Sequence, residues 1–194
     1  MIEKFRYEDR HLLDDAWRHR HLDPAAFWAR AGLRAGQTVV DVGAGTGYFA
    51  VPAARRVGRR GHVYACDVSP EMVAHVAQEA TRGRLGQLEA LRSGEHALPL
   101  PDAVADVALA AFVLHEVNDP YRLLAELARV LKPTGRLLVL DWSPEAQEPE
   151  NLPRRMRWAP ATVRYMLGQA GLEPVDEARP NDANYLVSAK PSRS

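Results

Sequence analysis

The residues best placed to do chemistry lie in Val39-Val40-Asp41-Val42-Gly43-Ala44-Gly45-Thr46-Gly47-Tyr48-Phe49, where an apolar run gives way to glycines at alternate positions. Glycine lets the backbone take positive φ and pass against a ligand, because a Cβ there would clash. The Gly-x-Gly-x-Gly pattern lacks the third glycine of the dinucleotide fingerprint at its usual place. Asp41 stands just before the glycines, where a carboxylate repels a pyrophosphate and attracts a cation such as an ammonium or a sulfonium. Twenty residues beyond Gly47, Asp67 ends a second apolar run, Val63-Tyr64-Ala65-Cys66-Asp67. A carboxylate there can accept both hydroxyls of a ribose lying in the crevice beside the strand ends. Ser69-Pro70-Glu71 then opens a helix, with serine as N-cap, proline at the first position and an acid in the first turn.

His115-Glu116 follows a fourth apolar run, where a side chain can face a reacting group. The zinc pattern His-Glu-x-x-His is not completed, since Asp119 stands where its second histidine would be. A lone histidine is more often structural than catalytic; in the catalytic reading, His115 or Glu116 takes a proton from a substrate. Phe5, Tyr7, His11, Trp17, His19 and His21 put too many rings into the N-terminal segment for a free tail, so it is expected to fold over the ligand mouth, with Tyr7 and His11 near the substrate. Trp142 and Arg157 are expected to wall the substrate cavity, although interior packing and surface exposure explain them nearly as well. Cys66 is the one cysteine, so neither an internal disulfide nor a thiolate metal site is expected.

Short β-rich runs alternate with helical patterns, the signature of βαβ units and a parallel sheet covered on both faces. Strands are expected at 38–42, 62–66, 87–91, 105–112 and 136–141, and helices at 47–57, 70–80 and 120–131. Lys132-Pro133-Thr134-Gly135 reads as the stop of that last helix and the turn into the next strand. Beyond it come a loop at 143–153, a helix near 160–170, and a closing hairpin from runs 172–175 and 185–189 that would add antiparallel strands at one edge. The fold class is α/β, a doubly wound, seven-stranded, mostly parallel sheet of Rossmann-like form with an N-terminal helical arm. The 194 residues are expected to form a single domain, with an arm over 1–30, a ligand-binding core over 31–141 and a substrate-side loop, helix and hairpin over 142–194.

Twenty-five Lys+Arg balance twenty-five Asp+Glu, so the whole-molecule field that draws proteins onto phosphate backbones is missing and no nucleic-acid partner is expected. No apolar stretch nears the roughly 20 residues that cross a bilayer. No membrane partner, a cytoplasmic location and a monomer or homodimer are expected.

Together DVGAGTGYF (41–49), ACDVSPEMV (65–73), ALPLPD (97–102), ADVALAAFVLHEVNDP (105–120) and ARVLKPTGRLLVLDW (128–142) resemble the class I S-adenosylmethionine-dependent methyltransferases, above all the group that includes the ubiquinone/menaquinone C-methyltransferases. The likeness covers roughly residues 30–141. It implies S-adenosyl-L-methionine as cofactor, with Asp41, Gly43, Ala44, Gly45 and Gly47 along its methionine part and Asp67, Val68 and Met72 at ribose and adenine. It places Gly94, Glu95 and His96 beside adenine and Ala110 and Ala111 under the methionine moiety. Met72 reads equally well as core. Family members commonly carry an aspartate where this chain reads Ser93-Gly94-Glu95-His96, so Glu95, backbone or water is left to meet the adenine amino group. The acceptor implied is a small molecule; the alternatives are a noncatalytic module that senses S-adenosylmethionine or its product, and a protein or RNA methyltransferase.

Overall fold

Apolar runs alternating with amphipathic stretches bury most area when each helix returns the chain to the start of a parallel strand. The computed structural model describes residues 7–14, 16–147 and 152–192, with the side chains of 11–14, 16 and 17 outside that description. After a 3-10 turn at Tyr7–Asp14 come α1 (Ala16–His21), α2 (Pro24–Arg30), β1 (Thr38–Val42), α3 (Ala50–Val57), β2 (His62–Asp67), α4 (Pro70–Arg82) and β3 (Leu88–Arg92). Then follow β4 (Ala105–Ala111), α5 (Pro120–Val130), β5 (Leu131–Trp142), α6 (Pro160–Gln169), β6 (Leu172–Ala178) and β7 (Asn184–Pro191). The seven strands form one sheet in the order β3-β2-β1-β4-β5-β7-β6. β1 to β5 are parallel, and β7 runs antiparallel to both β5 and β6.

Alternate strand residues face opposite layers. Val39, Val63, Val107, Leu109, Leu138 and Leu140 pack with Trp28 of α2, Ala53 and Val57 of α3 and Val76 of α4. Val40, Val42, Ala108, Ala110, Leu137 and Val139 pack with Leu123, Leu124 and Leu127 of α5 and Val163, Met166 and Leu167 of α6. The chain leaves β1 toward β2 on one side and returns to β4 on the other. That reversal opens a crevice at the carboxyl ends of β1 and β4.

Four elements differ from their sequence expectation. The helix expected from residue 47 begins at Ala50, because Gly45 (φ 54°) and Gly47 (φ 83°) prolong the turn. The helix expected to reach 131 ends at Val130, and Leu131 already pairs with Ala105. Lys132-Pro133-Thr134-Gly135 is therefore an excursion inside β5, after which Arg136 pairs with Val107. The C-terminal hairpin is longer than its two apolar cores, and its second strand lies inside the sheet between β5 and β6.

Candidate functional site

The crevice is floored by the turn after β1. Gly43 has φ 63°, and a Cβ added there would stand 2.5 Å from Val113 Cγ2, so the β4–α5 loop closes directly onto this glycine. Ala44 donates its N–H to the Cys66 carbonyl of β2 (3.1 Å) and Gly45 donates to Asp67 Oδ2 (2.8 Å). Asp67 Oδ1 accepts the Ser69 N–H (2.9 Å), while Ser69 Oγ accepts from Met72 at the start of α4. One carboxylate thus fixes both the glycine turn and the approach to α4.

Asp41, 2% exposed, shares the turn's underside. Its Oδ2 is buried with no hydrogen-bond partner, as is the neighbouring Thr46 Oγ1. Burial, and then the charge of Asp67, push the Asp41 pKa up to about 8, offset in part by the Ala50 backbone N–H. A cation placed against Oδ2 would reverse that penalty.

The crevice continues past β2. Ser93 donates its N–H to the Asp67 carbonyl (2.9 Å), which seats segment 93–97 beside that carboxylate. Within it Gly94 donates to Ala97 O, while Ser93 Oγ and His96 Nδ1 are buried without partners. Glu95, expected at adenine, is engaged elsewhere: its Oε1 accepts the Asn118 N–H (2.5 Å) and both its oxygens accept from Asn118 Nδ2, tying this segment to the β4–α5 loop. Met72 is buried and Val68 exposed, on either side of the α4 start. Ala110 and Ala111 end β4, with Ala110 opposite Val42.

Phe112 turns the chain out of β4 at φ 60°, unusual for a side-chain-bearing residue, and donates its N–H to Leu140 O (2.7 Å). His115 follows, 6% exposed, with Nδ1 2.7 Å from Asp141 Oδ1 at the end of β5. Burial alone would lower the His115 pKa; the charge and hydrogen bond of Asp141, with Glu116, outweigh burial and the opposing Arg157 and hold it above the ordinary histidine value. Glu116 Oε1 lies 3.8 Å from His115 Nε2.

Trp142 and Arg157, expected at the substrate cavity or in interior packing, are both buried. Trp142 is interior, its ring 4.9 Å from Phe112 and within the α2–α4 layer, because it alternates with Leu140 and Leu138 along β5. Arg157 is buried and spends its donors on backbone carbonyls of Leu152, Ser143 and Ala146, which makes it the anchor of the segment following β5. Tyr7 stands edge-on to His75 of α4, whereas the His11 side chain lies outside the described residues. From the arm, Arg18 of α1 lies over the rings of Phe112 (4.8 Å) and Tyr48 (5.5 Å), and Tyr48 donates its hydroxyl hydrogen to Leu22 O.

Sequence reasoning missed Asp141, Asn118, Arg18 and Phe112. For Asp141 a signal existed, an acid at the carboxyl end of the apolar run Leu137-Leu138-Val139-Leu140. The others are recognisable only from which loops meet.

Residues 40–139 match the family model described as a methyltransferase domain. The ubiquinone/menaquinone biosynthesis C-methyltransferase UbiE of Marinomonas sp. (strain MWYL1) is 39% identical over 121 residues, 61% of this chain and 48% of that protein. UbiE of Escherichia coli O1:K1 / APEC shares the same identity over the same coverage, so the chain spans about half the length of the curated relatives it matches. A crystal structure of a SAM-dependent methyltransferase from Aquifex aeolicus superposes with a TM-score of 0.90 at 33% identity, over 96% of this chain and 98% of that one.

Proposed function

The chain belongs to the methyltransferase domain family and is an S-adenosylmethionine-dependent methyltransferase, and from that premise we propose that it methylates a small aromatic acceptor of the quinol class at the mouth of the β1–β4 crevice. The residues present fit the cofactor. Asp41 offers an unpartnered buried carboxylate oxygen to the cationic amino-acid end, and the turn at Gly43, Ala44, Gly45 and Gly47 offers bare backbone for close approach. Asp67 accepts from the ribose hydroxyls at the carboxyl end of β2. Met72 and Val68 flank adenine together with Gly94, Ser93 and His96, while Ala110 and Ala111 underlie the methionine part. Glu95 acts through Asn118, holding the adenine-side segment and the β4–α5 loop together.

When bound, S-adenosylmethionine supplies a methyl group on a sulfonium whose sulfur leaves readily. The protein therefore mainly aligns the acceptor and excludes water. Arg18 and Tyr48 close the mouth from the arm side. The small aromatic acceptor is supported by the UbiE relatives, which are ubiquinone/menaquinone biosynthesis C-methyltransferases, and by the balanced charge, which gives no footing for a polyanion. The observation that carries the cofactor placement is the buried, unpartnered Asp41 Oδ2 beneath the glycine turn. The test is calorimetric titration with S-adenosylmethionine, followed by transfer of labelled methyl to hydroquinones and naphthoquinols. Label appearing in RNA or protein, and in no small aromatic, overturns the acceptor class.

A further inference from the structure

We propose that His115, oriented by Asp141, is the base that removes the hydroxyl proton of the acceptor, which confines the substrates to aromatic or enolic compounds with a weakly acidic O–H. This rests on the small aromatic acceptor proposed above. Asp141 Oδ1 is fixed by two donors, the imidazole Nδ1 (2.7 Å) and the Trp142 N–H (2.8 Å). A neutral imidazole so held carries its hydrogen on Nδ1, leaving the Nε2 lone pair to accept a proton. His115 follows Val113 by two residues in the loop that closes on Gly43, and Asp141 comes next after Leu140, which pairs with Ala111 at the carboxyl end of β4, so the dyad lies at the same end of the sheet as the glycine turn.

The pair is costly if it serves only packing: His115 is 6% and Asp141 1% exposed, and apolar residues hold buried elements together at least as well as buried ion pairs. The groups facing it are Glu116 on the same loop, Arg157 on the segment after β5, and Tyr185 of β7, which is paired opposite Asp141. The Tyr185 hydroxyl and Asp141 Oδ2 are both buried without partners, so the imidazole and the Trp142 N–H, both on Oδ1, are what hold this carboxylate in place.

In the step, the acceptor O–H bond breaks, its proton goes to Nε2 and its electron pair stays on the acceptor. That pair, on oxygen or on the conjugated ring carbon, forms the bond to the methyl group while the carbon–sulfur pair leaves with sulfur. After attack from carbon, the ring hydrogen shifts to oxygen and restores aromaticity. One sulfonium charge is consumed and one imidazolium is formed.

The test begins on cofactor-free enzyme with 15N-labelled histidine. His115 is expected to titrate above free histidine, with a pyridine-like Nε2 in its neutral form, and Asp141→Asn lowers that midpoint while leaving S-adenosylmethionine affinity within about twofold. The acidic limb of kcat/KM is expected to follow the same midpoint in wild type and in Asp141→Asn. His115→Gln should lose on the order of 10²–10⁴-fold on a dihydroxynaphthalene and under about tenfold on a nitrophenol that is already ionised. Equal losses on both acceptors, or a limb that stays put when the NMR midpoint moves, overturn the proposal. Wild type that binds cofactor yet methylates only amines or thiols refutes the acceptor class itself, and the tautomer and midpoint then still decide whether the dyad is built as a base.

Discussion

An acid buried at the end of β1 with a second acid nearby is comfortable only while protonated, and this makes the cofactor-free protein pH-sensitive. Asp41 has its folded pKa raised from 3.8 to about 8. A raised folded pKa contributes stability that is complete below the unfolded pKa and is lost as pH climbs through the folded one, at up to about 1.4 kcal/mol per pH unit. His115, also raised, slopes the same way at the upper end of that window. Cofactor-free wild type should therefore melt lower at pH 8 than at pH 5, and Asp41→Asn should flatten the profile while weakening cofactor binding. Scanning calorimetry at both pH values decides it; parallel profiles count against the burial of an unpaired charge. Asp67→Ala removes the acceptor of Gly45 as well as the ribose contact, and should weaken S-adenosylmethionine by about 1–3 kcal/mol. Unchanged affinity by titration removes Asp67 from the site. Asp41 and Asp67 were legible because each ends an apolar run beside glycine or a helix cap. The partners of Glu95 and Arg157 were not, because both pair with residues on other segments or with carbonyls that carry no sequence signature.

At the scale of elements, the glycine turn and the β4–α5 loop constrain each other. Gly43→Ala would require an L-residue at φ 63° and place its Cβ 2.5 Å from Val113 Cγ2. Strain and overpacking together should cost about 1–3 kcal/mol, read as a lower Tm with weaker cofactor binding. Truncating the neighbour, in Gly43→Ala/Val113→Ala, should recover the steric part and leave the φ part, so a double variant no better than the single one excludes the clash. The strand and helix alternation was readable because each element's period is local. The start of β5 was not: Lys132-Pro133-Thr134-Gly135 marks the helix stop to within a residue, yet pairing of Leu131 with Ala105 draws the same residues into an excursion of β5. Cross-strand register is a long-range property, and punctuation residues do not report it.

Over the whole molecule, the sheet is completed by residues outside the stretch that carries the family motifs. β7 inserts between β5 and β6, covering the edge of β5 from Leu137 to Trp142, and brings Tyr185, Val187 and Ala189 into the layer occupied by α5 and α6. A closing hairpin was legible from its two apolar runs; that its second strand lies inside the sheet depends on the free edge of β5, which no local pattern records. The motif-bearing part should accordingly not fold alone. A chain ending at Ser143 keeps the glycine turn, Asp67 and the His115–Asp141 pair, but strips β5 of its neighbour and the second layer of Val163, Met166 and Leu167. It leaves a long, flat, apolar strand edge, a template for aggregation. Such a truncation is expected to be insoluble or to melt without a cooperative transition and to lose S-adenosylmethionine binding. A soluble fragment with a sharp Tm that rises on adding cofactor would show instead that β6, β7 and α6 are an appendage to a self-sufficient core.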